Sequence, residues 1–258
     1  MKQSIIKYAA SLGIERCGFT SYMDKSAIVC LFPYFTGGYK GNLSVYAQSI
    51  DYHKVIKDKL SLLSEHILSL KNDACLSIYA DIGPKIDRRL AYNAGLGFYG
   101  KNTMLINPDF GSYFFIGYIL CDIFLEPDVP LKKKCDGCNR CIKSCPGQAL
   151  DECFDVNKCA SHISQKKGSL SQEEVKILKK SGLIFGCDIC QKVCPHNNIK
   201  PKPMIEFTQC LIHSIDIEDI KDMSNKEFLK KYKDRAFSWR GRKVLERNLN
   251  IINNLKGE

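Results

Sequence analysis

Cysteine is the residue type with the most chemical potential in this 258-residue sequence, because nine of its fourteen cysteines lie between positions 135 and 194. The first run reads C-x2-C-x2-C-x3-C-P from position 135, and the second reads C-x2-C-x3-C-P from position 187. Thiolates at this spacing wrap around a 4Fe–4S cluster, with a proline after the last cysteine. The two runs therefore predict iron–sulfur chemistry, which is the transfer of single electrons.

In this pattern three cysteines of a run hold one cluster and the fourth reaches the other cluster. C-x2-C pairs also suit tetrahedral zinc, but the two C-x3-C-P endings favour iron–sulfur. The first predicted cluster has the ligands Cys135, Cys138, Cys141 and Cys194. The second has Cys145, Cys187 and Cys190. Its fourth ligand must come from the intervening loop, where Cys153 and Cys159 are the candidates.

Length and composition exclude other uses of these cysteines. Disulfide frameworks are typical of short secreted chains, whereas this chain is long and Met1–Leu12 shows an amphipathic pattern without a signal-peptide cleavage site. No apolar run approaches the ~20 residues that cross a bilayer. We therefore expect a cytoplasmic monomer that does not associate with membranes. Four cysteines in apolar stretches are expected to be buried hydrophobic residues: Cys17, Cys30, Cys75 and Cys121.

The net charge of +10 indicates an anionic partner, and nucleic acid is the first to consider. A basic enzyme without such a partner is the alternative on charge alone. The excess is uneven, because Lys and Arg far outnumber Asp and Glu over residues 221–247. We expect an anion to bind at this C-terminal end.

Several short motifs outside the cysteine runs occur in a fixed order. They are D-Y-H-K from position 51, Y-A-D-I-G-P from 79 with Arg88 behind it, A-G-L-G-F-Y-G-K-N from 94 and G-S-Y-F-F-I-G from 111. Together with C-A-S from 159 and G-C-D-x-C-Q from 186, they resemble the epoxyqueuosine reductase family over roughly residues 25–200. Members of that family are cobalamin-dependent reductases, related in architecture to reductive dehalogenases. They remove the epoxide oxygen of epoxyqueuosine in the anticodon loop of tRNA.

The resemblance implies a cobalamin beside the two 4Fe–4S clusters, a tRNA substrate and an unknown low-potential electron donor. It implies Cys159 rather than Cys153 as the eighth cluster ligand, and Asp81 as the donor of a proton to the basic alkoxide that leaves the carbon. The cofactor contacts that it implies are Ser44, Asp81, Lys101, Asn102, Leu105 and Ser161. Typical members have a further helical repeat domain that binds tRNA. The resemblance, over roughly residues 25–200, does not extend to that domain. A small-molecule substrate and a non-catalytic electron carrier are therefore the alternatives.

One motif resembles a different cobalamin signature. Asp51 and His53 match the D-x-H of the D-x-H-x-x-G pattern, in which the histidine is the lower ligand of cobalt, but Ile56 replaces the glycine. The aspartate also lies at the predicted start of a helix, where its side chain can accept a hydrogen bond from the backbone. We predict a helix-capping aspartate and a histidine that does not bind cobalt.

The elements that must position these residues follow from hydrophobic periodicity. The predicted helices span 1–12, 51–70 and 88–94, and a capping box of Ser171 and Glu174 begins another that ends near Gly182. The predicted strands are 27–32, 74–80, 103–107 and 112–121, the last two joined by an N-P-D-F-G turn. The expected fold class is α+β, with a mixed α/β, reductive-dehalogenase-like cobalamin-binding domain (1–130), a bacterial ferredoxin-like double-cluster domain (131–200) and a basic helical tail (201–258).

Overall fold

The computed structural model describes residues 1–81 and 86–253. Its strands are β1 (Arg16–Tyr22), β2 (Lys25–Pro33), β3 (Leu76–Ala80), β4 (Phe98–Tyr99), β5 (Leu105–Ile106) and β6 (Phe114–Cys121). Its helices are α1 (Lys2–Ser11), α2 (Tyr52–Leu70), α3 (Asp87–Asn93), α4 (Arg140–Lys143), α5 (Ala160–Ser164), α6 (Gln172–Ser181), α7 (Ile189–Lys192), α8 (Asn225–Lys231) and α9 (Arg242–Asn253). None of the helices in these ranges is long and apolar enough to span a membrane.

An antiparallel sheet in the order β1-β2-β6-β3 forms the centre of the N-terminal part. Successive side chains of a strand point to opposite faces, and both faces of β2 are covered. Ile28, Cys30 and Phe32 pack into a core with α1 and α2, whereas Val29 and Leu31 pack into a second core with α3. Burial on both faces explains why β2 reads as one continuous apolar run.

Gly117 of β6 allows α2 to lie close to the sheet. A Cβ atom built on Gly117 would be 2.4 Å from Ile56 Cγ2 and 3.0 Å from Leu60 Cδ1. Gly117→Val should therefore destabilise the fold by ~1–3 kcal/mol, because overpacking forces the helix away from the strand. Thermal unfolding of the two proteins measures this difference. Ser21→Val, on an exposed position of β1, is the control and should change stability by no more than ~0.5 kcal/mol; equal melting shifts for the two variants would contradict the packing argument.

The C-terminal segment packs against the cysteine-rich segment and the N-terminal part together. Phe185, Phe228, Phe237 and Leu245 share one core with Leu43. Asn248, fully buried on α9, donates from Nδ2 to the carbonyl oxygens of Ser164 and Ile184 at 2.7 and 2.8 Å. The sequence division at residues 130 and 200 stays a prediction.

Most of the predicted elements are confirmed within one or two residues, including the capping box. Glu174 N–H donates to Ser171 Oγ at 3.3 Å, and α6 stops before Gly182, whose φ is 67°. Burial is confirmed for Cys30 and Cys121, whereas Cys17 is only half-buried. It is wrong for Cys75, which is exposed because it lies just before β3 at the sheet edge.

The strand prediction was wrong in its pairing. The turn forms, with Asn107 Oδ1 accepting from the N–H groups of Asp109 and Phe110, but the segments on either side of it diverge. β5 pairs with β4, whereas β6 inserts between β2 and β3. The eight residues of β6 bury more apolar surface in the central sheet than a short hairpin with β5 could cover.

Candidate active site

Two pockets collect the clustered cysteines, four in each. The first is lined by Cys135, Cys138, Cys141 and Cys194. The second is lined by Cys145, Cys159, Cys187 and Cys190. Each pocket takes its cysteines from both runs, so the geometry matches the crossed arrangement expected for paired 4Fe–4S clusters. Cys153 is exposed and lines neither of these pockets in the part of the chain that the structure describes.

Short helices and left-handed turns bring the two runs together. Cys141 lies on α4 and Cys190 on α7, and these helices contact each other. Gly137 and Asn139 have φ angles of 71° and 60°, which let the chain curl between successive cysteines of the first run. Ala149 N–H donates to Cys145 Sγ at 3.3 Å. This hydrogen bond fixes the position of the sulfur at that corner of the pocket.

The second pocket fits a cationic cluster by the chemistry of its donors. Burial, together with the nearby charges of Asp188 and Cys159, raises the pKa of Cys187 to about 12. Burial also raises the pKa of Cys190, reinforced by Cys187 and Cys159. Four thiolates in one buried space need positive charge, which cluster iron supplies. No group of three His, Cys, Asp or Glu side chains in residues 1–81 and 86–253 could hold a single metal ion.

The second cysteine pocket is a cavity of about 340 Å³ that also takes residues from the N-terminal part of the chain. Its walls include Tyr34, Met104, Phe114 and Phe115. A neighbouring cavity of about 710 Å³ shares Phe114, Phe115 and Arg88 with it and continues to Asp81. We call the two cavities together the cleft. Strand β6 thus supplies the wall that lies between the cysteines and the carboxylate.

Asp81 follows β3 and lines the outer cavity. Its φ is 62°, a left-handed conformation that is uncommon for a non-glycine residue. Its side chain is 63% exposed and accepts a hydrogen bond from Tyr52 Oη at 2.6 Å. The carboxylate is therefore held at a defined position but stays open to the cleft. The rest of its motif, residues 82–84, lies outside the described residues.

Tyr52 connects this carboxylate to the aromatic wall. Its ring stacks on Phe115, with centroids 4.0 Å apart and an angle of 9° between the planes. Burial raises the pKa of Tyr52, and the charge of Asp81 raises it further, so the phenol remains a hydrogen-bond donor. Tyr52 is not among the site residues predicted from the sequence, although the D-Y-H-K motif contains it.

The prediction of a capping aspartate is confirmed. Asp51 precedes α2 and accepts hydrogen bonds from His53 N–H at 3.0 Å and from His53 Nδ1 at 2.8 Å. The other ring nitrogen of His53 lies 3.7 Å from Asp81 Oδ2. Burial favours a higher pKa for Asp51, but its hydrogen bonds from His53 outweigh burial and hold the pKa below its usual range.

The pKa of His53 should be above its ordinary value, because the Asp51 hydrogen bond favours the charged imidazole. A raised folded-state pKa stabilises the fold at pH values below the ordinary pKa, and that stabilisation is lost as the pH rises through the raised pKa. An NMR titration of His53 measures the shift. Asp51→Asn should lower the pKa of His53, and an unchanged titration would contradict the assignment of Asp51 as its cause.

The other predicted cofactor contacts fall in different places. Ser161 and Asn102 line the inner cavity, and Asn102 also lines the first cysteine pocket. Lys101 lies beside that first pocket, where its Nζ donates to Asn139 Oδ1 at 2.7 Å. Leu105 is buried in the core beneath α3. All four cobalamin contacts stay predictions.

Ser44 is fully buried between the N-terminal part and the second cysteine run. Its Oγ donates to Asp188 Oδ1 at 2.6 Å, and the neighbouring Val45 N–H donates to Asp188 Oδ2 at 2.8 Å. Burial raises the pKa of Asp188 to about 6. Among the described residues, Ser44 therefore contacts the segment between two cluster cysteines and lines neither cavity of the cleft.

Comparison with known proteins defines the class first. Residues 134–197 match the model of a 4Fe-4S double cluster binding domain. The fold is similar to that of a reductive dehalogenase described as B12-dependent, with a TM-score of 0.53 at 16% identity over 98% of this chain and 36% of that one. The chain is thus an iron–sulfur protein with two 4Fe–4S clusters and a reductive-dehalogenase-like fold.

The family follows from closer relatives. Residues 21–81 match the model named epoxyqueuosine reductase QueG, DUF1730. An epoxyqueuosine reductase of Lactococcus garvieae is 35% identical over 215 residues, which are 81% of this chain and 60% of the relative. The chain belongs to the epoxyqueuosine reductase family. The chain spans about 60% or less of the length of the curated relatives that it matches.

Two solved structures add detail. An epoxyqueuosine reductase crystallised with an epoxyqueuosine-modified tRNA-Tyr stem loop is 27% identical, with a TM-score of 0.86 over 97% of this chain and 80% of that one. The Bacillus subtilis enzyme, also 27% identical, has a TM-score of 0.81 with the same coverage. In that structure a catalytic aspartate loop is swung out of the active site.

Proposed function

We propose that this protein is a cobalamin-dependent iron–sulfur reductase that converts epoxyqueuosine in tRNA to queuosine. The observation that carries the proposal is the cleft, which has a four-cysteine pocket at one end and Asp81 at the other. An electron source and a proton donor at opposite ends of one cleft are what reductive opening of an epoxide requires. We also propose that the enzyme acts in the cytoplasm.

The residues that line the cleft suit a large, flat cofactor. Phe114, Phe115 and Met104 offer apolar contact, while Arg88, Asn102 and Ser161 offer polar groups at the margin. Cobalamin, when bound, supplies a strongly reduced cobalt that can react with the epoxide carbon. Phe115 also stacks on Tyr52, which donates a hydrogen bond to Asp81. A cofactor that packs on Phe115 would therefore lie one residue away from the partner of Asp81.

The protein's own contribution is to deliver a proton. We propose that Asp81 gives a proton to the oxygen that leaves the carbon, because the alkoxide is too basic to depart unprotonated. Tyr52 fixes the carboxyl group by its 2.6 Å hydrogen bond. His53, which lies 3.7 Å away and is held by Asp51, is a source from which Asp81 can recover a proton.

Electrons reach the cleft through the cysteine pockets. We propose that the first cluster passes electrons to the second, which faces the cleft through Cys159 and Cys190. Asn102 lines both pockets, and its Nδ2 lies 3.3 Å from the Cys190 carbonyl oxygen. The residue therefore occupies the space between the two clusters.

A basic pocket in the C-terminal segment supports an RNA substrate. A cavity of about 500 Å³ is lined by Lys167, Arg240, Arg242 and Lys243. Trp239 beside it is 59% exposed, and the Arg240 guanidinium lies 3.5 Å from the centre of its ring. Cations that meet phosphates and an aromatic ring that stacks on a base are a common combination in single-stranded RNA binding.

A small-molecule substrate that binds in the cleft alone is the second candidate. Binding of a tRNA anticodon stem loop with a steep salt dependence favours RNA, since each neutralised phosphate releases counterions. Absence of such binding in a protein that holds both kinds of cofactor favours the small molecule.

Anaerobic metal analysis and ultraviolet–visible spectroscopy test the cofactor proposal. Protein produced with cobalamin supplied should contain cobalt and about eight irons per chain, as two 4Fe–4S clusters require. Iron without cobalt under these conditions would overturn the reductase and favour a non-catalytic electron carrier.

A further inference from the structure

We propose that the surface around the first cysteine pocket docks an acidic one-electron carrier protein, which is the source of the enzyme's electrons. This inference rests on the proposed function for the direction of electron flow. We call the surface the basic patch and define it by six cations: Lys101, Lys132, Lys133, Lys134, Arg140 and Lys143.

The two cysteine pockets differ in how far they open to the outside. Cys138 of the first pocket is exposed, whereas the four cysteines of the second pocket are only partly accessible. The second pocket is itself the inner cavity of the cleft and shares Phe114 and Phe115 with the outer one. A protein donor can therefore come closest to the first cluster at Cys138, and the second cluster is left to face the cofactor.

The basic patch surrounds that exposed corner from two parts of the chain. Residues 131–145 contain five cations and a single acid, Asp136, which lies 3.3 Å from His196 Nε2. Lys101 comes from the loop between β4 and β5 and donates to Asn139 Oδ1, next to Cys138. Lys133 Nζ lies 5.8 Å from the centre of the Phe98 ring, which itself contacts His196 at the pocket wall.

The charges of the basic patch are available to a partner. All six cations are exposed, and in residues 1–81 and 86–253 none of them forms an ion pair with Asp or Glu. Exposed charges of one sign attract a partner of the opposite sign and raise its association rate by 10–10³-fold. A carrier protein with an acidic face meets both requirements, complementary charge and a close approach to the cluster.

An RNA would also be attracted to these cations, but the position of the patch favours a redox partner. RNA recognition has no use for an exposed cluster cysteine, and the C-terminal pocket with Trp239 already offers an aromatic surface beside its cations. The transfer itself is balanced. One electron moves from the reduced carrier to the oxidised cluster, with no bond made or broken and no proton moved.

Stopped-flow spectroscopy of the loaded protein tests the proposal without any tRNA or substrate. The probe is reduced plant-type ferredoxin, an acidic low-potential carrier, and the readout is bleaching of the enzyme's cluster absorbance. The variant Lys132→Glu with Lys134→Glu leaves the Lys133–Phe98 contact in place. We expect its second-order rate constant at low ionic strength to fall ~10-fold or more, with a weaker salt dependence.

The matched control carries the same charge change elsewhere. Lys7→Glu with Lys57→Glu alters exposed positions on α1 and α2 and should keep the wild-type rate. Reduction by methyl viologen radical, a small cation that needs no docking surface, should not slow in either variant. Slowing with methyl viologen would indicate a damaged cluster rather than lost docking and would overturn the interpretation.

The remaining outcomes are also decisive. Equal ferredoxin rates for the patch variant and the wild type would overturn the proposal. So would a patch variant that loses affinity for an anticodon stem loop but keeps its ferredoxin rate, since the patch would then be an RNA surface. If docking holds and the loaded enzyme fails to turn over epoxyqueuosine tRNA, the donor inference survives and the substrate proposal fails.

Discussion

Replacing Asp81 by asparagine should lower kcat for epoxyqueuosine reduction by ~10²–10⁴-fold, the usual contribution of a positioned general acid. Asparagine keeps the size of the side chain and can still accept the 2.6 Å hydrogen bond from Tyr52 Oη. It has no carboxyl proton to give to the leaving oxygen. The variant should therefore keep its cobalt and iron content and its affinity for tRNA, while product formation is lost.

Asp87 is the competing carboxyl group, because it lines the same outer cavity at the start of α3. Burial raises its pKa, which is also suitable for an acid. Single-turnover rates of Asp81→Asn and Asp87→Asn under anaerobic conditions separate the two. We expect the large loss in Asp81→Asn, since Asp81 alone has the hydrogen bond to Tyr52 and the contact with His53. A large loss of the single-turnover rate in Asp87→Asn alone would identify Asp87, at the start of α3, as the proton donor.

Replacing Cys159 by alanine should reduce the iron content from about eight to about four per chain, because the second pocket loses one of its four predicted ligands. Turnover should be lost as well, since that cluster is the one that faces the cleft. The first pocket takes no residue from this position. Its cluster should remain and should still accept electrons from a small reductant.

Cys153→Ala is the matched control for that experiment. Cys153 is exposed and sits six residues before Cys159 in the same loop. Its variant should keep about eight irons per chain and the wild-type rate. Loss of iron in Cys153→Ala, with normal iron in Cys159→Ala, would show that Cys153 is the cluster ligand instead of Cys159. That result would contradict the geometry of the second pocket.

Cysteine spacing predicted the two pockets well because ligand spacing is a local property of the chain. Three cysteines within seven residues can only surround something small, and the remaining partners were few. The capping role of Asp51 was also local, since it depends on the first turn of α2. The spacing alone could not decide between Cys153 and Cys159. They differ in the path of the loop, which leaves Cys153 exposed and places Cys159 in the second pocket.

The failures concern long-range contacts. Nothing in the pattern around β6 indicates that it inserts between β2 and β3, because sheet order depends on the burial of both faces. The hydrogen bonds of Ser44 to Asp188 and of Lys101 to Asn139 were not foreseen either, because the partners are more than 30 residues away in sequence; the predicted cofactor contacts of Ser44 and Lys101 stay predictions. Tyr52 received no role for the same reason, as its bond to Asp81 spans 29 residues.

Anaerobic incubation of the loaded, pre-reduced protein with epoxyqueuosine-containing tRNA is the most direct test of the proposed function. The tRNA is then digested to nucleosides and analysed by mass spectrometry. We predict that epoxyqueuosine disappears and that queuosine, which has one oxygen atom fewer, takes its place in proportion to the protein added. Unchanged epoxyqueuosine with protein that contains cobalt and about eight irons per chain would contradict the assignment of this tRNA as the substrate.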